Sequence, residues 1–239
     1  MGEIKDLNGG NTVSNVRDSV NIKLSDATAA ELAHRPIEYD TGFTLLPGKY
    51  RIKFLARDDE TGRIGTYETT FTIPNLNKED KRVPISSVVL SSQRVEDKDT
   101  LFDASKAKER QKENSVNPLA QDGKKIIPSV TRVFSTARPM YVYLQAYKPL
   151  PAAIDPKVSA GPIEPLFAFV SIYLAGSKIL ETPPAAVQPN PSSRLGITPL
   201  SFSVALDRLP PGSYDCQVTV VDPSNQKTNY WRAPILLVP

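Results

Sequence analysis

Apolar and polar residues alternate with a period of two over most of the chain, the pattern of strands that turn one face inward. It is first visible from Val16 to Leu24, where Val20, Ile22 and Leu24 share a side. The same alternation predicts strands over 38–45, 50–57 and 63–73. The last two are joined by Asp58-Asp59-Glu60-Thr61-Gly62, a run with hairpin-turn chemistry. Between the first two, Ser25 to Leu32 offers a Ser or Asp cap and alanine-rich residues, enough for one or two helical turns before Pro36. The polar stretch Asn75 to Arg82 interrupts the apolar runs and is the expected domain boundary. Beyond it, strands are expected over 85–91, 130–135, 140–147, 166–175, 178–181, 200–206, 214–221 and 230–238, a succession of short strands that predicts a sandwich. The charged excursion from Gln93 to Pro128 is expected to be a solvated loop with a short exposed helix over 102–111. The Pro-, Ala- and Ser-rich stretches 149–165 and 183–199 are expected to be stiff extended loops.

The chain repeats itself. Shifted by 164 residues, Leu45, Pro47, Gly48, Tyr50 and Asp58 fall on Leu209, Pro211, Gly212, Tyr214 and Asp222 without a gap. Ile52, Phe54 and Ala56 fall on Cys216, Val218 and Val220, while Tyr67, Phe71 and Ile73 fall on Trp231, Ile235 and Leu237. In Leu-Pro-Gly-x-Tyr the proline presets a turn, the glycine is free to take a positive φ, and the tyrosine opens a strand. Tyr214-Asp215-Cys216 has the spacing of the tyrosine that closes a corner in immunoglobulin-type sandwiches, although the usual partner cysteine is missing. The expected architecture is therefore all-β, with two tandem immunoglobulin- or fibronectin-III-like β-sandwich domains. A flexible tail (1–10) precedes a small first sandwich (11–75), read as truncated; a linker (76–83) leads to the second (84–239), which carries the charged insertion 93–128. Pro47, Gly48, Tyr50, Pro211, Gly212, Tyr214, Cys216 and Trp231 are its expected structural residues.

Composition narrows the chemistry. The 239 residues carry 29 Lys and Arg against 26 Asp and Glu, a net charge of +3 with the signs interleaved, which gives no footprint for a nucleic-acid backbone. One Cys and one His exclude an intrachain disulfide and a Cys/His zinc cage within one copy, and with them most imidazole or thiolate catalysis. With 12 Gly against 22 Pro, glycine-rich phosphate loops are disfavoured. No segment approaches the ~18 consecutive apolar residues of a membrane helix, so no membrane insertion is expected. The polar, glycine-rich start lacks the apolar run of a secretory signal and reads as a cut from a longer protein.

Candidate ligand chemistry is sparse. Asp58, Asp59 and Glu60 form the densest acidic cluster, repeated in part by Asp222. Calcium is the weaker reading there, because an Asp opening a turn commonly accepts its own loop's amide hydrogens. No spacing singles out a pair of carboxylates for hydrolysis, and no catalytic residue or cofactor is expected. Asp103-Ala104-Ser105-Lys106-Ala107 lacks the second hydroxyl of a metal-adhesion motif, and Asp122-Gly123-Lys124-Lys125 lacks the first glycine of a nucleotide loop. His34 has no companion ligand. Cys216, on an inward strand position, is expected to be a buried, inert thiol. Tyr141, Tyr143 and Tyr147 alternate on one strand; packing is the favoured reading, an aromatic platform for a glycan the alternative.

Thr44 to Arg51 (TLLPGKYR), Val83 to Arg94 (VPISSVVLSSQR), Gly123 to Phe134, Met140 to Leu144, and Leu209 to Val221 followed by Arg232-Ala233-Pro234 together resemble the carboxy-terminal region of bacterial von Willebrand factor A-related domain proteins of the acidobacterial type. The resemblance spans nearly all of 15–239. It implies an exported setting, secreted, periplasmic or on the cell surface, and an accessory role in protein contacts or self-association. Such proteins carry a signal sequence and an A domain upstream that these residues do not include, so the resemblance implies no metal-dependent adhesion here and no catalytic residue.

Overall fold

The structure is a computed structural model that describes residues 1–19, 42–76, 81–96, 118–121, 123–148, 164–189 and 196–239. These residues are built almost wholly of β-strands. They divide into two compact units, one running from Met1 to Asn75, the other made of the described residues from Leu76 onward.

In the first unit, β1 (Gly2–Asp6), β2 (Thr12–Val16), β3 (Gly48–Arg57) and β4 (Ile64–Ile73) form one antiparallel sheet in the order β2-β1-β3-β4. The period-two pattern segregates its faces. Tyr50 lies opposite Phe71, Ile52 opposite Ile4 and Phe54 opposite Tyr67 on one face. Lys49, Arg51, Lys53 and Arg57 lie exposed on the other. The expected flexible tail is corrected: residues 2–6 are an inner strand, and Ile4 is 1% exposed against its neighbours. Residues 42–46 alternate as a strand would but form none, and the remainder of the predicted 38–45 strand lies outside the described residues. So do the strand beyond Ser19, the helical turn and His34. The described residues of this unit supply one layer of the expected first sandwich.

In the second unit, two sheets face one another. One is β5 (Val89–Ser91), β10 (Met140–Tyr147) and β14 (Ile197–Val204), in the order β14-β10-β5. The other runs β12-β11-β15-β16-β9, with β9 (Val133–Ser135), β11 (Leu166–Leu174), β12 (Ser177–Glu181), β15 (Gly212–Asp222) and β16 (Lys227–Val238). All these neighbours are antiparallel except β9, which joins β16 in parallel. The inward residues Leu90, Val142 and Leu144 of the first sheet share one core with Val170, Ile172, Cys216, Val218 and Ile235 of the second. Burying an aliphatic side chain of this size stabilises by about 1.5–3 kcal/mol, so this alternation is what holds the layers together. At one end the layers are also tied by an ion pair. Lys148 donates to Asp222 Oδ1 at 2.9 Å, to Ser224 Oγ at 2.7 Å and to the Glu164 carbonyl at 3.1 Å.

Three expectations change in this unit. Val83, placed in the linker, is 1% exposed in the core, and its carbonyl accepts a hydrogen bond from Asn229 Nδ2. The ends of the charged insertion are not solvated loop but a small sheet of β6 (Gln93–Glu96), β8 (Lys124–Ile127) and β7 (Ala120–Gln121), in which Ile126 is buried. The expected helix over 102–111 lies outside the described residues. Within the Pro-rich stretch 183–199, β13 (Ala185–Val187) pairs with Leu166–Ala168 of β11, continuing the edge that β12 occupies further along.

Candidate interaction surfaces

The repeat found in the sequence is a repeat of geometry. Gly48 pairs with Ile73 and Gly212 with Leu237, and the registers stay 164 residues apart along both hairpins. Tyr50 donates its hydroxyl to the Leu46 carbonyl at 2.7 Å, and Tyr214 donates to the Pro210 carbonyl at 2.7 Å, each closing a corner four residues upstream. The strand beside each hairpin matches too. Ile4 lies opposite Ile52 as Ile172 lies opposite Cys216, and the register shifts directly after each, between Ile4 and Lys5 and between Ile172 and Tyr173. The order β2-β1-β3-β4 is thus a copy of β12-β11-β15-β16.

The two corner glycines differ: Gly212 has φ 158°, and a Cβ there would meet Tyr214 Cε2 at an ordinary 3.6 Å. Gly48 does not adopt a positive φ. A Cβ there would come within 3.1 Å of Tyr50 Oη and 3.2 Å of its Cζ, so the missing side chain lets the ring fold back over the backbone.

The acidic residues are engaged locally. Asp58 accepts from the Glu60 amide and the Thr61 hydroxyl, and these bonds, the Thr61 one foremost, hold its carboxyl below the ordinary value. Asp222 accepts from Ser224 Oγ at 2.6 Å, Asn225 Nδ2 at 2.7 Å and Lys148. Burial works to raise its pKa, but these donors outweigh burial and leave it lowered. Asp59 pairs with Arg57 at 3.4 Å on the surface, and Glu60 is exposed at the hairpin tip.

Cys216 is fully buried between the layers, and burial pushes its thiol up to about 12. Trp231 packs half-buried against the same core, with the Arg132 guanidinium 5.9 Å from its ring centre. The tyrosine stripe is not the open platform that the glycan alternative needed. Tyr141, Tyr143 and Tyr147 lie on the side of β10 away from the core cluster, yet Tyr143 is 3% exposed and the other two are half-buried. Gln145 bridges the Tyr143 and Tyr147 hydroxyls at 3.2 Å each, and burial raises the Tyr147 pKa.

Two surfaces went unread in the sequence. The first is the apolar face of β3 and β4. Its counterparts in the second unit are sealed: Cys216, Val218 and Val220 are 0% exposed and Ile235 is 3% exposed. Ile52, Phe54 and Phe71 are only half-buried, Ala56 is exposed, and Tyr67 is 64% exposed. The second is the outer face of β11, β15 and β16. There Phe167, Phe169 and Tyr173 are half-buried, Tyr230 is 63% exposed, and Arg232 lies 4.6 Å over the Tyr173 ring while paired with Asp215 at 2.8 Å. A strand apolar on both faces, Leu166-Phe167-Ala168-Phe169-Val170, was the available signal for it.

No known protein-family model matches the chain, and no curated protein matches it. Function is accordingly argued from these surfaces.

Proposed function

We propose that the chain is a non-catalytic, immunoglobulin-like β-sandwich module that spaces or presents a neighbouring domain and makes protein–protein contacts. The observation that carries this reading is the pair of matched hairpins, one sealed into a core and the other, among the described residues, with Ile52, Phe54 and Phe71 half-buried and Tyr67 64% exposed. A contiguous exposed apolar face is one of the marks of a protein-contact surface. The immunoglobulin-like assignment is supported by the strand order of the second unit, by β9 running parallel to the last strand, and by the corner tyrosine two residues before Cys216. The groups that would carry chemistry have other work: Cys216 is a neutral buried thiol, Asp58 ties its own turn, and Asp222 ties the layers. With the resemblance to von Willebrand factor A-related proteins, the module belongs to an exported bacterial protein, at the cell surface, in the periplasm or secreted.

The test is site-specific photo-crosslinking in the cells that make the protein, with a benzophenone side chain at Tyr67 and, as control, at Thr70 on the opposite face of β4. Protein adducts at 67 and none at 70 are expected. Absence of adducts at 67 overturns the reading.

A second reading, a glycan-binding module, moves from the β10 tyrosines to the outer face of β11, β15 and β16. Tyr230 presents an exposed ring there, with the Gln217 and Thr219 side chains bonded at 3.2 Å beside it. Glycan-array binding that Tyr230→Ala abolishes would carry this reading, and arrays blank for the unmodified chain would remove it.

A further inference from the structure

We infer that Asn8, on the turn between β1 and β2, is a site of spontaneous covalent modification by deamidation and isoaspartate formation. Asn8-Gly9 is the one Asn-Gly pair in the chain. In such a pair the glycine nitrogen can reach the carbonyl carbon of the asparagine side chain, and no Cβ shields it.

The structure leaves both reacting groups free. β1 ends at Asp6 and β2 begins at Thr12, so the pair lies outside the ladder of the hairpin. The loop closes around it: the Asp6 amide donates to the Asn11 carbonyl at 3.0 Å, and the Gly10 amide to the Asp6 carbonyl at 2.8 Å. The Asn8 backbone amide donates to Asp6 Oδ1 at 3.0 Å. Among the described residues, neither the Asn8 side chain nor the Gly9 amide makes a hydrogen bond, and both residues are exposed. Other asparagines are held. Asn225 Nδ2 donates to Asp222 and Asn229 Nδ2 to the Val83 carbonyl, and each is followed by a residue with a long side chain.

The reaction needs only water and a solvent base. The Gly9 nitrogen gives up its proton and attacks Asn8 Cγ; the bond from Cγ to Nδ2 breaks and ammonia leaves, closing a succinimide ring. Water then opens the ring. Breaking the bond from the ring nitrogen to Cγ leaves aspartate; breaking its bond to the main-chain carbonyl carbon leaves isoaspartate, with the backbone routed through Cγ. Either product places a new carboxylate two residues from Asp6, and isoaspartate also lengthens the turn by one backbone atom.

Incubation of the folded full chain at neutral and mildly alkaline pH, followed by peptide mapping and isoaspartyl methyltransferase labelling, tests the inference. The peptide containing Asn8 should change from amide to acid several-fold faster than any other asparagine peptide, and should be the main methyl acceptor. The rate should rise with pH, because the attacking nitrogen must lose its proton. Gly9→Ala is the decisive variant. Gly9 is not in the left-handed region, and a Cβ there would meet Asp6 Oδ2 at 3.4 Å and Asn11 Nδ2 at 3.5 Å, both ordinary contacts. Alanine therefore fits while shielding the nitrogen, and should slow conversion of Asn8 several-fold. Should Gly9→Ala fail to fold, the ranking of asparagines in the unmodified protein decides. Conversion of Asn8 no faster than that of the other asparagines, or a rate that a folded Gly9→Ala leaves unchanged, overturns the inference.

Discussion

Each corner tyrosine ties down a carbonyl four residues upstream with a single hydroxyl. Tyr50→Phe and Tyr214→Phe delete the 2.7 Å bonds to Leu46 and Pro210, and each should cost its own unit about 1–2 kcal/mol, read as a lower urea midpoint. The hairpin tips carry a second comparison. Gly62 takes φ 70° and Gln226, its counterpart 164 residues on, takes φ 52°. A side chain in the left-handed region is strained, and the first copy shows which residue suits that turn. Gln226→Gly should therefore raise the stability of the second unit, by about 0.5–1 kcal/mol in thermal or urea unfolding.

Between elements, the Lys148–Asp222 pair does what packing alone does elsewhere: it joins the end of β10 to the end of β15 across the layers. The two side chains are 11% and 5% exposed, so removing one partner strands a buried charge, and Lys148→Met should cost about 3 kcal/mol. Because the Asp222 carboxyl is lowered from its ordinary 3.8, the stability it contributes is complete above that value and is lost as pH falls below it through the folded-state pKa. Acid unfolding should be steepest there, and Asp222→Asn, already less stable at neutral pH, should show a shallower acid slope. The elements themselves were unevenly legible. The two hairpins could be read because ten or more residues alternate behind a Leu-Pro-Gly-x-Tyr turn. β1 could not, because a single apolar residue, Ile4, stands between Glu3 and Lys5 and only its pairing with Ile52 explains its burial. β13 hides in Ala185-Ala186-Val187, whose composition suits a loop and whose strand character comes from an edge position on β11. The candidate surfaces were harder still. Alternation shows that Tyr143 and Tyr67 lie on strand faces, but exposure depends on the layer opposite, and nothing in either local sequence encodes that.

At the scale of the whole chain, the two units differ in what they bury. Among the described residues of the first, Ile4 and Tyr50 are the buried apolar side chains, whereas the second has a continuous core from Val83 to Leu237. Two unfolding transitions should appear in calorimetry of dilute protein, the first unit melting at the lower temperature. Cys216 identifies the later one, since a thiol buried with a pKa of about 12 should react with maleimide only as the second transition is crossed. Labelling complete before that transition would show that the second unit does not protect its interior as described.

The three-residue parallel seam between β9 and β16 has a mechanical side. Leu236, Leu237 and Val238 run alongside Val133, Phe134 and Ser135 in the same direction, while Gly212 to Asp222 line the other flank of β16. Tension drawn along the carboxy-terminal strand loads the rungs on both flanks sideways and together, so they must yield as a group rather than peel one by one. A linker tethered there resists a steady pull far better than a hairpin opened from its tip.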